Sequence, residues 1–228
     1  MSALSDHLDR LNEVGVLLRH VAPEVEPDVE VGADRRPFSD STFARSCLVL
    51  SVSYFEGFLK DLSDEAFDAI LASKIACDRL STHLRGHAIG SHVHTLRQSE
   101  DPSAQWSALT ALIEFGVQLN TGSSVSEAMI PREEVKRAVT SIEPQKINVL
   151  FRSLGDEDLN TGPMSVFGTR LNNLKRIRDN AVHGNEKDLE PLSLRDADDC
   201  VKLLRDCAHS MNNRTTALLG KLGVTKDI

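Results

Sequence analysis

An all-α fold follows from three features of this sequence. Apolar residues recur at helical spacing over several long segments, and alternating strand-like stretches are scarce. The apolar residues are mostly Leu, Val, Ile and Ala, with aromatics only 4% of the chain, which suits helix-to-helix packing. The expected architecture is a helical bundle with an additional helical segment in the middle of the chain. In domain terms this is one helical unit over 1–228, with 73–142 as an inserted region.

The elements follow in order. Leu4, Leu8, Leu11, Val14, Leu17, Leu18 and Val21 form an amphipathic stripe, ended by the Pro-containing acidic stretch that runs to Pro37. A second helix is expected from an N-cap at Asp40 or Ser41 through Phe67 and beyond. Its centre, Cys47 to Leu59, is apolar nearly all round and so is buried on several sides. Ser73 to Gln98 reads as less regular, interrupted by Gly86 and Gly90. Trp106 to Leu119 reads as a helix, followed by a loop over Asn120–Ser124. Short helices are expected over Arg132–Ile142, stopped by Pro144, and over Gln145–Leu154, closed by Gly155. After a polar loop over Asp156–Pro163, Val166, Phe167, Leu171, Leu174 and Ile177 mark a helix ending near Gly184. Ser193 with Asp196 forms an acidic capping box for a last helix, which carries Ala197, Val201, Leu204, Ala208, Met211 and Leu218 on one face.

Composition bounds the function. No run approaches the roughly 20 apolar residues of a membrane span. The N-terminus has no basic stretch followed by an apolar one, so a cytoplasmic chain with no membrane association is expected. Cys200 and Cys207 lie about 10 Å apart along a helix, too far for a disulfide. All four cysteines read as small hydrophobes in a reducing compartment. The net charge of −8 argues against a broad electrostatic platform for nucleic acid, while leaving room for a local phosphodiester site.

Chemistry concentrates in Arg178-Asp179-Asn180-Ala181-Val182-His183-Gly184. Asp179 and His183 are four apart, neighbours on one helix face, so a carboxylate there can orient an imidazole and favour its protonated form. The negative end of the helix acts the same way. An imidazole held near its titration range can move a proton at neutral pH, and Arg178 offers a planar donor fork for phosphate. Arg170, Lys175, Arg176 and Arg178 stand against the single acid Asp179, a basic segment on an acidic chain. Arg178 and His183 are five apart, about 140° around a helix, so one helix does not bring both to one phosphate. Two copies across a two-fold axis could. By spacing alone, a capped helix end in which Asp179 pairs with His183 explains the same residues and is the commoner meaning of so short a run.

Three stretches resemble the HEPN superfamily, most closely its RiboL-PSP and MAE-type branches. Asn172 to Gly184 looks like the family's Leu-x-x-x-Arg-Asn/Asp-x-x-x-His-Gly helix end, and it carries R-x4-H. Asn148 to Gly155 resembles the short helix upstream of it. Ser51 to Leu62 resembles the early Tyr-x-Glu-x-Phe-Leu helix. The resemblance implies a HEPN-like bundle and a metal-independent endoribonuclease with no cofactor, acting as a homodimer on RNA and leaving 2′,3′-cyclic phosphate ends. His183 would be the general acid or base, Arg178 would stabilise charge on the phosphate, and Asp179 would orient the site. Arg170, Lys175, Arg176 and Asn180 would bind substrate. The family's settings are toxin–antitoxin and anti-phage systems, so an antitoxin or another defence-system protein is an expected partner. The alternative is a HEPN-like module that binds RNA, nucleotide or protein without cutting.

Other features carry less. His83, His87, His92 and His94 lie within twelve residues but lack the H-E-x-x-H pattern and a framing Cys pair, so a polar surface is expected rather than zinc. Glu56 sits in the most apolar helix, where an unpaired carboxylate is costly. It supports the site by facing Arg178 or Arg176, lies at the surface, or pairs with Lys60. Tyr54 accompanies it as a further supporting residue, its hydroxyl at an edge. No phosphate-binding Gly-rich loop and no G-x-S-x-G elbow is present, which excludes the common nucleotide-hydrolysing motors and serine hydrolases.

Overall fold

The architecture is set by the longest apolar segment. In the computed structural model, which describes residues 2–21, 38–130, 132–156, 163–183 and 192–224, it forms a 35-residue helix, α2 (Phe38–Ala72). Leu48, Val52, Phe55, Phe58, Leu59 and Leu62 of α2 are buried. A helix apolar on several sides must be covered on several sides. α1 (Ala3–Val21), α5 (Arg132–Ala138), α7 (Pro163–His183) and α8 (Leu194–Leu222) all pack on it. The remaining helices are α3 (Thr82–Gln98), α4 (Pro102–Thr121) and α6 (Pro144–Ser153). α3 and α4 form a hairpin, and α6 links α5, α3 and α7. Among the described residues there are eight α-helices and no strand, so the fold is all-α as expected.

Several polar groups on and around α2 are matched, although both ring nitrogens of His7, packed on α2, are buried without a hydrogen-bond partner. The buried Ser51 and Ser63 hydroxyls donate to the carbonyls of Cys47 and Lys60, at 2.8 and 2.7 Å. Arg132 of α5 reaches Asp64 at 2.9 Å and Asp68 at 2.7 Å on α2, and Lys136 adds a second contact to Asp64 at 2.7 Å. The buried Asp156 takes a two-point grip from Arg214 of α8, at 2.5 and 2.8 Å, the fork-on-carboxylate geometry that arginine favours. The capping box at Ser193 and Asp196 is present in full, and α8 buries the apolar face expected of it. Cys47, Cys77 and Cys207 are buried thiols, Cys200 is half-buried, and none is in a disulfide.

Several expected boundaries move, each for a local reason. α2 begins at Phe38, and the Ser41 hydroxyl accepts from the Leu192 N–H at 3.3 Å rather than capping its own helix. α3 runs unbroken through Gly86 and Gly90: Ser81 caps it by accepting from the Leu84 N–H, and packing on α4 outweighs the roughly 1 kcal/mol that each glycine costs a helix. α4 starts four residues earlier than expected, because Asp101 is its N-cap and Pro102 its first residue, where the missing N–H is no loss. It ends at Thr121 with Gly122 left-handed at φ +66°. α5 stops at Ala138, and Pro144 opens α6 instead of only closing what precedes it. The expected loops over Ala22–Pro37 and Glu157–Gly162, and the expected cap Gly184, lie outside the described residues.

The buried face of α1 also differs from its leucine stripe. Leu11, Val14 and Leu18 are buried, but Leu17 is 48% exposed and His7 takes an inner position at 2%. Its ring stacks on Phe58 at 4.9 Å and tilts against Phe55 at 5.6 Å. Burial disfavours the imidazolium and lowers the His7 pKa from 6.5 to about 4. The unfolded chain therefore takes up this proton first on acidification. The stabilising effect of a neutral His7 is complete above about pH 6.5 and is lost as pH falls towards about 4. Urea unfolding at pH 7 and pH 4 should show wild type losing about 3 kcal/mol more than His7→Leu over this interval. Equal losses in the two proteins would rule out His7 as the source.

Candidate functional site

The R-x4-H run occupies the last turns of α7, with His183 the final residue of the helix. α7 buries Leu171 and Leu174. Packing that face turns Arg178 towards α2, where its Nη2 lies 3.7 Å from Glu56 Oε2. Its Nη1 donates to Asp179 Oδ1 at 3.0 Å. Its Nε is buried and has no hydrogen-bond partner. Of the three positions open to Glu56 in the sequence, the structure selects the one facing Arg178.

Asp179 is held from two sides. Lys175 donates to its Oδ2 at 2.7 Å, one turn back along α7, and Arg178 takes its other oxygen. Lys175 also reaches Glu143 Oε1 at 3.2 Å, the residue that precedes the first turn of α6. The result is a chain of alternating charges, Glu143, Lys175, Asp179, Arg178 and Glu56, running from α6 across α7 to α2. The Lys175 hydrogen bond, helped by Arg178, holds the Asp179 carboxyl below the usual carboxylate range. Burial pushes Glu56 the other way, upwards, against the attraction of Arg178. Four α7 cations were legible as a basic segment. With Glu56 and Glu143 brought in, they face three carboxylates, so the local positive charge is largely compensated.

The remaining cations open onto clefts. Arg170 and Arg176 are exposed on α7. Together with Arg45 of α2 and Asn173 and Asn180 they line a cleft of about 550 Å³ between α2, α7 and α8, with Leu174, Ile177 and Leu203 among its apolar residues. On the other flank of α7, Lys175, Arg176, Asp179 and Asn180 line a second cleft of about 530 Å³ against Glu143, Pro144 and Gln145 of α6. Arg176 and Asn180 thus border both. Tyr54 is not brought into this cluster. It is two residues, about 200°, from Glu56 on α2, and the Arg10 guanidinium of α1 sits over its ring at 5.6 Å.

Glu143 and Arg45 were not legible as site residues. Glu143 precedes a Pro that opens a helix, a weak local mark, while nothing near Arg45 in sequence points to α7. At the histidine-rich segment, His87 pairs with Glu134 at 3.0 Å, and among the described residues no three His, Cys, Asp or Glu side chains are grouped to hold a metal. No helix among the described residues is long and apolar enough to cross a membrane.

The Glu56–Arg178 contact is partly shielded, with side chains 18% and 28% exposed. A double-mutant cycle of Glu56→Ala and Arg178→Ala, read by urea unfolding, should give a coupling of about 1 kcal/mol, above the few tenths typical of open surface pairs. Additive losses would show that the two groups are neighbours without mutual support.

A RiboL-PSP-HEPN family model matches residues 5–216, from the first turn of α1 into α8. No curated protein and no solved structure matches the chain. The match takes in the R-x4-H helix, the short helix upstream of it and the long helix that supplies Glu56, and the chain belongs to the RiboL-PSP-HEPN family.

Proposed function

We propose that this protein is a metal-independent endoribonuclease that acts as a homodimer and serves as a toxin or anti-phage defence component. The observation that carries the reading is the setting of Arg178. Its guanidinium is aimed by Glu56 and Asp179, its Nε remains unpaired, and it lies on the helix that ends at His183. Family membership points to a ribonuclease or an RNA-binding module, and an oriented arginine five residues before a helix-terminal histidine favours the first. An RNA 2′-hydroxyl attacking the adjacent phosphate needs a group to take its proton, another to protonate the leaving 5′-oxygen, and a cation for the charge that develops. The His183 side chains of the two copies supply the two proton transfers, one taking the 2′-hydroxyl proton and the other protonating the leaving 5′-oxygen, and Arg178 supplies the cation, with Asp179 and Glu56 as positioning residues. Arg170, Lys175, Arg176 and Asn180 bind the strand along the two clefts. The 140° between Arg178 and His183 is bridged by a second copy, each chain completing the other's cleft.

One observation favours a non-cutting module instead. Both outer nitrogens of Arg178 already face carboxylates, and the chain carries −8 overall, so a phosphate must compete for the arginine. Incubation with varied RNAs in EDTA separates the two readings. Wild type should leave 2′,3′-cyclic phosphate ends, and His183→Ala and Arg178→Ala should each lower the rate by about 100-fold or more. Arg178→Lys should not restore it, since an ammonium lacks the planar fork. RNA retained on a filter but left intact would establish binding without cleavage. Normal cutting by both alanine variants would remove the catalytic assignment.

A further inference from the structure

α4 carries two apolar faces, and the described residues pack on only one. Ala108 and Phe115 are buried on its inner side, towards α3. On the opposite side Trp106 is 71% exposed, Ile113 60%, Val117 55% and Leu109 39%. At 100° per residue these four fall within about 80° of one another, so they form a single stripe along the helix. Only one of the twenty α4 residues is charged, Glu114, on a chain of net −8. A helix that merely faced water would carry charge there.

We infer that this stripe is an isologous interface on which a second copy of the chain seats its own α4, antiparallel to the first. The stripe is its own complement. Reversing it about a point midway between Ala111 and Leu112 brings Trp106 opposite Val117 of the second copy. The same reversal brings Leu109 to within one residue's rise, about 1.5 Å, of the second copy's Ile113. The bulkiest side chain thereby meets the smallest of the four. It also meets Gly116, which has open space where a Cβ would stand. A glycine inside a helix is destabilising, and among the described residues no neighbour crowds the place of its missing Cβ. A second helix bringing an indole onto that spot would.

Area and charge agree with this occupant. The exposed parts of the four side chains amount to roughly 400 Å² of apolar surface per copy, about 800 Å² for two. At the roughly 65% apolar share of homodimer interfaces, that is the core of an interface of about 1,200 Å², within the range of stable complexes. In the antiparallel arrangement the two Glu114 carboxylates are offset by about five residues, roughly 7.5 Å along the axis, so they do not oppose each other directly.

Trp106 is the chain's single tryptophan, so its emission reports on this face alone. The full-length protein should show blue-shifted emission at about 50 μM that moves to the red on dilution, with a matching fall in mass by light scattering. Ile113→Arg, at an exposed position that leaves the core untouched, should stay red-shifted throughout, with the association that Trp106 emission reports at least 100-fold weaker, since a symmetric interface carries the change twice; a dimer held through α7 would persist. Register has its own test. Trp106→Cys and Val117→Cys chains, oxidised in mixture, should cross-link to each other far more than either does alone. The inference is overturned if the wild-type emission stays red at all concentrations. A concentration-dependent blue shift that Ile113→Arg leaves intact, or cross-linking of Trp106→Cys to itself, would also overturn it. So would a blue shift seen only with phosphatidylcholine vesicles, which would give the face to a lipid surface.

Discussion

The need to cover α2 governs this bundle. Its middle turns present apolar side chains in nearly every direction, and burying each such side chain stabilises the fold by roughly 1.5–3 kcal/mol. No single neighbour can shield it, so α1, α5, α7 and α8 are arranged around it. α1 fits by placing an imidazole among phenylalanine rings, and α5 is fixed by Arg132 and Lys136 on the acids of the next turns. Within the apolar stretch Glu56 is the carboxylate that must find a cation. α7 provides it. The same packing that buries Leu171 and Leu174 brings Arg178 to that carboxylate, so core formation and site assembly are one event.

This has an electrostatic consequence. Arg178 is oriented at the expense of being partly neutralised, and Lys175 likewise spends its charge on Asp179 and Glu143. A phosphate approaching the end of α7 therefore meets an ordered relay of charges more than a strongly positive surface. In the proposed reaction Glu56 is the carboxylate that a phosphate would displace from Arg178, since burial disfavours its ionised form. Asp179 is the opposite case, since Lys175 keeps it ionised and in place. The two carboxylates on one guanidinium are thus unequal, one a firm positioning group and the other the more readily displaced. The long-range attraction that a basic protein would supply is absent, which places the demand for recognition on the clefts bordered by Arg176 and Asn180.

The helices were legible where a one-sided apolar period or a cap marked them. The α8 face and its capping box, the burial of α2 on several sides and the course of α7 follow from local pattern alone. Boundaries were less legible where a residue has two meanings. Pro144 reads as a stop but opens a helix, and Gly86 and Gly90 read as breaks although tertiary packing carries α3 through them. Ser41 offers a capping hydroxyl that is spent on the backbone before α8, a partner 151 residues away that no local rule could find. In the site, Glu56 could be singled out because a carboxylate in an apolar helix demands a partner, yet three partners were open until the fold chose Arg178. Glu143 and Arg45 gave no such demand, because a charge in a stretch of mixed polarity can be satisfied in many folds.

α2 and α4 pose the same physical problem with different solutions. Both are apolar beyond the one face a bundle helix needs. For α2 four helices of the chain cover most of its circumference and leave a face at Ser46, Leu50 and Ser53 exposed. α4 packs on α3 and on the short turn at Cys77–Arg79, and its outer stripe remains uncovered. Burying that stripe in a second copy treats it as α2 treats its own surface. Its placement matters for the proposed site. α7 packs on α2, α6 and α8, so its clefts are formed by helices other than the one carrying the stripe. A chain with one two-fold contact through α4 and another through α7 closes into a tetramer when the two axes intersect at a right angle, into a larger closed assembly at certain smaller angles such as about 60°, and extends without closing when the axes do not meet. Pairing through α4 would then hold two α7 sites in fixed relation, letting the composite cleft form at lower protein concentration than two independent chains would need.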